Sequence, residues 1–204
     1  MSSPSRAVAA SADDASHAQL EVERDAVRCL EQRRPQDAIA LLVKHYGNPL
    51  YRFCRSMLGS DVDAQDVLQT VFMHALESVG SYTPQATLGA WLFGIARHRC
   101  LDRIRSERRR GSSDPRPEAL AELPAATRNA DEQLAARGAT GAIEHCLDRL
   151  EPKLRAAVVL RYQQQLSYDE MSRLSGDQAG TLRVRVARAL PLLRACLEAR
   201  GIAL

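Results

Sequence analysis

Arg183, Arg185 and Arg188 follow one another along YDEMSRLSGDQAGTLRVRVARAL, residues 168–190, after Gly176 has separated two helix-like stretches. Guanidinium groups at this spacing on one helix can clamp phosphates or reach the major-groove edge of guanine. A second cationic stretch, residues 97–110 (RHRCLDRIRSERRR), sets seven Arg against Asp102 and Glu107. Between the two, residues 111–135 carry five acids against two Arg. The whole chain has a net charge of only +3, so the distribution carries the information. Two basic surfaces parted by an acidic spacer point to a polyanion; ordinary solvated helix faces are the plain alternative.

Other chemistry finds little support. No nucleophile elbow, phosphate loop or paired carboxylates can be picked out, so no catalytic residue and no cofactor are expected. The five cysteines (Cys29, Cys54, Cys100, Cys146, Cys196) are scattered, form no C-x-x-C and pair with no His at zinc-finger spacing, so no metal is expected. They read as reduced, buried thiols. The opening MSSPSRAVAASADDAS has no long apolar core and holds two acids, unlike a signal peptide. No run approaches the roughly 18 apolar residues that would span a membrane. A soluble, cytoplasmic protein without membrane insertion is the expectation.

The elements that must position the arginines are helices. Aromatics are only 4% of the 204 residues while hydrophobic residues are 45%, mostly Ala, Leu and Val. Residues 1–36 read as a disordered tail plus an extra helix near 17–33. Asp37 looks like the N-cap of a helix to about Leu58, with Ile39, Leu42, Tyr46, Leu50 and Phe53 at helical spacing and Pro49 kinking or dividing it. Asp61 caps a helix over 62–79, GSYTPQAT (80–87) is a loop, and a long helix runs from Leu88 to about Arg109. Residues 111–140 form an acidic, Pro-containing linker, and residues 141–204 form a second helical body. The expected fold class is all-α: two small helical domains, 37–110 and 141–204, joined by a flexible tether.

Within the second body, Ser167 and Glu170 fit a capping box, and Gly176 suits the left-handed position that ends a helix. On a helical wheel Leu182, Val186, Ala189 and Leu193 face inward. Thr181, Arg183, Val184, Arg185, Ala187 and Arg188 lie on or beside the outer face. Two short helices with a tight turn and a basic outer face describe a helix-turn-helix, its second helix sized for the major groove. A plain helical hairpin kept soluble by arginines is the alternative.

This segment resembles the promoter-reading part of bacterial sigma factors of the extracytoplasmic-function (ECF) group, commonly Y-x-E-I-A-x-x-L-G-x-S-x-G-T-V-K-S-R-L-x-R-A-R. Tyr168, Glu170, Gly176, Gly180, Thr181, Arg183, Arg185, Arg188 and Ala189 occupy matching positions. Asp177 stands where the family has an apolar residue and Val184 where it has Ser. Upstream, DAQDVLQTVFMHAL is similar to D-A-E-D-x-x-Q-E-x-F-x-x-A-W, and LGAWLFGIARHRCLDRIR to F-R-A-W-L-x-R-I-A-R-N-x-x-x-D-x-x-R. Gln65 and Thr70 replace two Glu, Gly94 replaces a basic residue, and His98 replaces Asn.

The resemblance implies that residues 37–110 are sigma region 2 and residues 141–204 sigma region 4. It makes core RNA polymerase and promoter DNA the partners and admits an anti-sigma factor. Asp66, Gln69, Thr70 and Met73, on the outer face of the helix at 62–79, would meet the coiled coil of the polymerase's largest subunit. Tyr82, Trp91, Arg97, His98, Arg99, Arg103 and Arg105 would bind and open an upstream AT-rich element, with the loop from Thr83 to Thr87 holding an extruded base. Trp91 reads equally well as a core residue. The implied function is transcription initiation, without enzymatic activity. An autonomous helix-turn-helix repressor or activator would instead hold duplex DNA tightly by itself, and a degenerate sigma-like module would bind only proteins.

Overall fold

The structure is a computed structural model that describes residues 19–82, 86–111 and 131–202, without the side chains of 81, 111 and 131–139. The expected tail at 1–15, residues 83–85 of the expected loop at 80–87 and residues 112–130 of the expected acidic linker lie outside the described residues. Every long element described is helical. The first body comprises α1 (19–31), α2 (Pro35–Leu58), α3 (Asp61–Ser78) and α4 (Leu88–Gly111), with a 3-10 turn at Val79–Ser81 after α3. The second comprises α5 (Asp131–Asp148), α6 (Pro152–Val158) with a π turn at Val159–Gln163, α7 (Tyr168–Ser175) and α8 (Ala179–Glu198).

Local chemistry explains the boundaries. Helix α2 begins at Pro35, whose fixed φ and missing N–H suit a first turn, so the start lies two residues before the expected Asp37 cap. It ends where Gly59 takes φ 72° and donates its N–H to Arg55 O. Pro49 leaves α2 continuous rather than dividing it. Its apolar face (Ile39, Leu42, Tyr46, Leu50, Phe53, Met57) is buried throughout. Ser60, not Asp61, caps α3, its Oγ accepting from Asp63 N at 3.3 Å. Helix α5 resumes at Asp131, ahead of the expected start after Gly141.

The expected state of the cysteines is also corrected. Cys146 and Cys196 form a disulfide between α5 and α8, beside a small cluster of Ala142, Leu197 and Ile202, rather than standing as reduced thiols. Helical spacing around either cysteine cannot show that residues 50 apart will meet. Among the described residues, Cys29, Cys54 and Cys100 are free.

The two bodies also pack against each other. One continuous apolar core runs from Leu42, Leu50 and Phe53 of α2 to Leu150, Leu160, Met171, Leu182 and Val186 of the second body. Arg155 crosses between them. Its guanidinium donates to Met57 O at the end of α2 (2.8 Å) and to the Asp148 carboxylate (2.9 Å), and the side chain is buried. An orphan carbonyl at a helix C-terminus is thus satisfied from the other body.

Candidate nucleic-acid interface

The helix-turn-helix forms through its own caps. Ser167 Oγ accepts from Glu170 N at 3.2 Å, and Glu170 Oε2 accepts from Ser167 N at 2.8 Å. Gly176, at φ 70°, donates to Ser172 O and turns the chain into α8. Leu182, Val186 and Ala189 are buried and Leu193 packs half-buried, which fixes the rotation of α8. Thr181, Arg183, Val184, Ala187 and Arg188 are consequently exposed. The Arg183 guanidinium sits 5.0 Å above the Tyr168 ring, which also carries Arg161 at 5.2 Å. An exposed apolar Val184 between cations can meet a thymine methyl while its neighbours meet phosphate.

Arg185 is different: its side chain is only 16% exposed. Asp177 accepts two hydrogen bonds from it, at 2.6 and 3.0 Å, and a third from Arg97 of α4 at 2.9 Å. The Arg185 bonds hold the Asp177 carboxyl below the usual carboxylate range, burial opposing them. Burial pushes the Arg97 guanidinium down, partly offset by the carboxylate. One carboxylate therefore occupies an arginine from each basic surface.

The same seam holds a second departure from the family pattern. A Cβ on Gly94 would lie 3.1 Å from Leu174 O and 3.2 Å from Leu174 Cβ, so the missing side chain lets α7 approach α4. Beside it a cleft of about 340 Å³ is lined by His74, Trp91, His98, Arg99 and Arg173. Trp91 is half-buried against the core and meets the Tyr82 ring edge-on at 5.8 Å. Arg99 Nε is buried with no hydrogen-bond partner among the described residues.

Farther along α4 the cations are paired. Arg103 bridges Asp63 and Glu107, and Arg105 bonds Asp102 at 2.8 Å. His98, exposed, lies 3.0 Å from the Asp102 carboxylate. The Arg103–Asp63 pair is part-buried, whereas the more exposed pairs of Arg105 and His98 with Asp102 are of the weak kind that exchanges readily for phosphate. Arg97 and Arg185 therefore meet at the seam, Tyr82 and Trp91 meet at the head of α4, and Arg103 and Arg105 lie on the outer helix.

On α3, Asp66, Gln69, Thr70 and Met73 all point outward. Met73 is 65% exposed, and Val62 (69%) and Leu76 (44%) extend its line at helical spacing. Sequence reading passed over those two because an apolar residue is by default assigned inward; the 3.6-residue phase of Val67, Val71 and Ala75 could have excluded them. Apolar groups edged by an acid and amides form a surface suited to another protein.

Residues 42–110 match the family described as Sigma-70 region 2, and residues 140–193 match Sigma-70, region 4. The chain is 35% identical over 154 residues to the ECF RNA polymerase sigma factor SigE of Mycolicibacterium smegmatis, an alignment spanning 75% of this chain and 59% of that one. It is 32% identical over 148 residues to the ECF RNA polymerase sigma factor SigM of Mycobacterium tuberculosis, spanning 72% and 71%. Among solved structures it is similar to the sigma factor RpoE in complex with the anti-sigma factor NepR from Bartonella quintana. That likeness has a TM-score of 0.57 and 27% identity, over 74% of this chain and 91% of that one.

Proposed function

Because the chain belongs to the ECF group of RNA polymerase sigma factors, we propose that it acts in the cytoplasm as a non-enzymatic transcription initiation factor. It binds core polymerase through α3, reads a two-part promoter and helps open it. Asp66, Gln69, Thr70 and Met73, lengthened by Val62 and Leu76, form the polymerase contact. Thr181, Arg183, Val184, Arg185, Ala187 and Arg188 read the distal element. Tyr82, Trp91, Arg97, His98, Arg99, Arg103 and Arg105 bind and melt the AT-rich element. The observation that carries this reading is the capped helix-turn-helix with its exposed α8 face, joined in one chain to the outward apolar stripe of α3.

The seam favours this over an autonomous repressor. Arg97 and Arg185 are both engaged by Asp177, so the chain alone is poorly prepared for phosphate. The likeness to a sigma factor bound by its anti-sigma factor supports a protein inhibitor as a further partner. The test is to add the purified chain to core polymerase on a genome-wide template pool and sequence the transcripts. New start sites sharing a two-part motif are expected; start sites unchanged by the chain would sink the reading.

A further inference from the structure

The extra N-terminal helix, α1, sends one side chain into the first body. Glu23 is 9% exposed. Its Oε2 accepts from Leu88 N at 2.7 Å, and its Oε1 accepts from Gly89 N at 2.8 Å and from the Tyr46 hydroxyl at 2.6 Å. Thr87 completes the set: its Oγ1 accepts from Ala90 N (3.1 Å) and its carbonyl from Trp91 N (2.9 Å). Three N–H groups that a helix start leaves unpaired, those of Leu88, Gly89 and Ala90, are thus satisfied, two of them by a carboxylate 65 and 66 residues upstream, and the Trp91 bond to Thr87 O is the first of the helix itself. The positive end of α4 favours that charge further. Tyr46 reaches the carboxylate only because residue 89 is glycine, since a Cβ there would lie 2.4 Å from the Tyr46 ring.

This fixes where α4 starts and how it is rotated. A slip of one residue at its start would turn every later side chain by about 100°. Trp91 and Arg97 sit on that helix. Tyr82, against the Trp91 ring, packs against the core and lines a cavity with Val27 and Leu30 of α1, and its hydroxyl donates to Ala86 O. Burial and the Glu23 charge both raise the Tyr82 hydroxyl. Extracting a base from a duplex costs a few kcal/mol and needs waiting contacts already in place.

We propose that Glu23 is a positioning residue for promoter opening: α1 sets the head of α4, and with it the Tyr82–Trp91 pair, in the orientation that receives unstacked DNA. This rests on the sigma-factor reading, and the experiment separates the two. Glu23→Gln and Tyr46→Phe holoenzymes are compared with wild type on a promoter the wild type selects. Opening is followed by 2-aminopurine in the AT-rich element and by run-off transcription, on duplex and on the same template with a mismatched bubble. The expected result for Glu23→Gln is opening slowed about tenfold on duplex, the scale of one lost charge-assisted hydrogen bond, with core and promoter binding unchanged and the bubble restoring transcription. Tyr46→Phe, which keeps the carboxylate on Leu88 and Gly89, falls between. Wild-type rates for Glu23→Gln on duplex, or equal losses on duplex and bubble, would overturn the role. A wild-type holoenzyme that selects no promoter would instead remove the underlying reading.

Discussion

Two carboxylates each gather three hydrogen bonds, in very different places. Glu23 lies inside the first body and takes neutral donors: two backbone N–H groups and a phenol. Asp177 lies at the seam between bodies, its side chain 26% exposed, and takes charged donors on Arg97 and Arg185. The first arrangement is complete within its own body, where burial keeps competing partners from its donors. The second holds together groups that each have another use. Arginine binds phosphate as well as carboxylate, and water and salt reach a part-exposed pair. The interior contact sets geometry permanently, while the seam, under the proposed DNA-binding role, is a contact that phosphate would compete away.

Removing the interior carboxylate should have the largest effect. Glu23→Ala leaves two buried N–H groups and the Tyr46 hydroxyl without their acceptor, and each stranded group costs about 1–3 kcal/mol. The first body should lose roughly 3 kcal/mol or more, seen as a lower denaturation midpoint in urea. High salt should alter that loss little. A shift under about 1 kcal/mol would make Glu23 no different from an exposed pair.

Next comes the seam's packing. Gly94→Lys restores the cation usual in the family and puts a side chain where Leu174 now sits. The nearest atoms, at 3.1–3.2 Å from a built Cβ, are the α7 backbone and Leu174 Cβ, which cannot swing aside as a long side chain would. The expected outcome is separation of α7 from α4, read as a larger radius of gyration by small-angle scattering. An unchanged radius would show that the apolar core alone holds the bodies together.

The contrast also explains what could be read from the chain. The capping box of Ser167 and Glu170, the left-handed Gly176 and the inward phase of Leu182, Val186 and Ala189 depend on residues within a turn or two, so spacing revealed them. Asp66, Gln69 and Met73 were placed outward on the same ground. Glu23 was invisible because its donors lie 23, 65 and 66 residues away and a Glu on a charged helix is normally solvated. The Cys146–Cys196 bond and the Arg155 bond to Met57 O were hidden likewise. Asp177 and Gly94 were legible only as departures from a pattern. Their meeting across one seam required the fold, and it turns two isolated oddities into one contact.

The finest effect tests the charge at that seam. The carboxyl of Asp177 titrates below its ordinary value, so its contribution is present above about pH 4, the unfolded value, and is lost as pH falls through the lowered folded value. Arg97 of α4, Arg185 of α8 and Lys153 of α6 face it. Asp177→Asn removes the charge at every pH while keeping the shape. At neutral pH it should leave folding nearly unchanged and free both arginines. The isolated chain should then bind duplex DNA several-fold more tightly, with a salt slope steeper by about 0.9 for each additional phosphate neutralised. The same variant should erase any opening of the wild-type seam by acid. Equal affinity and equal slope for the two proteins would mean that Arg97 and Arg185 do not reach DNA, and that the seam's charges serve only to join the two bodies.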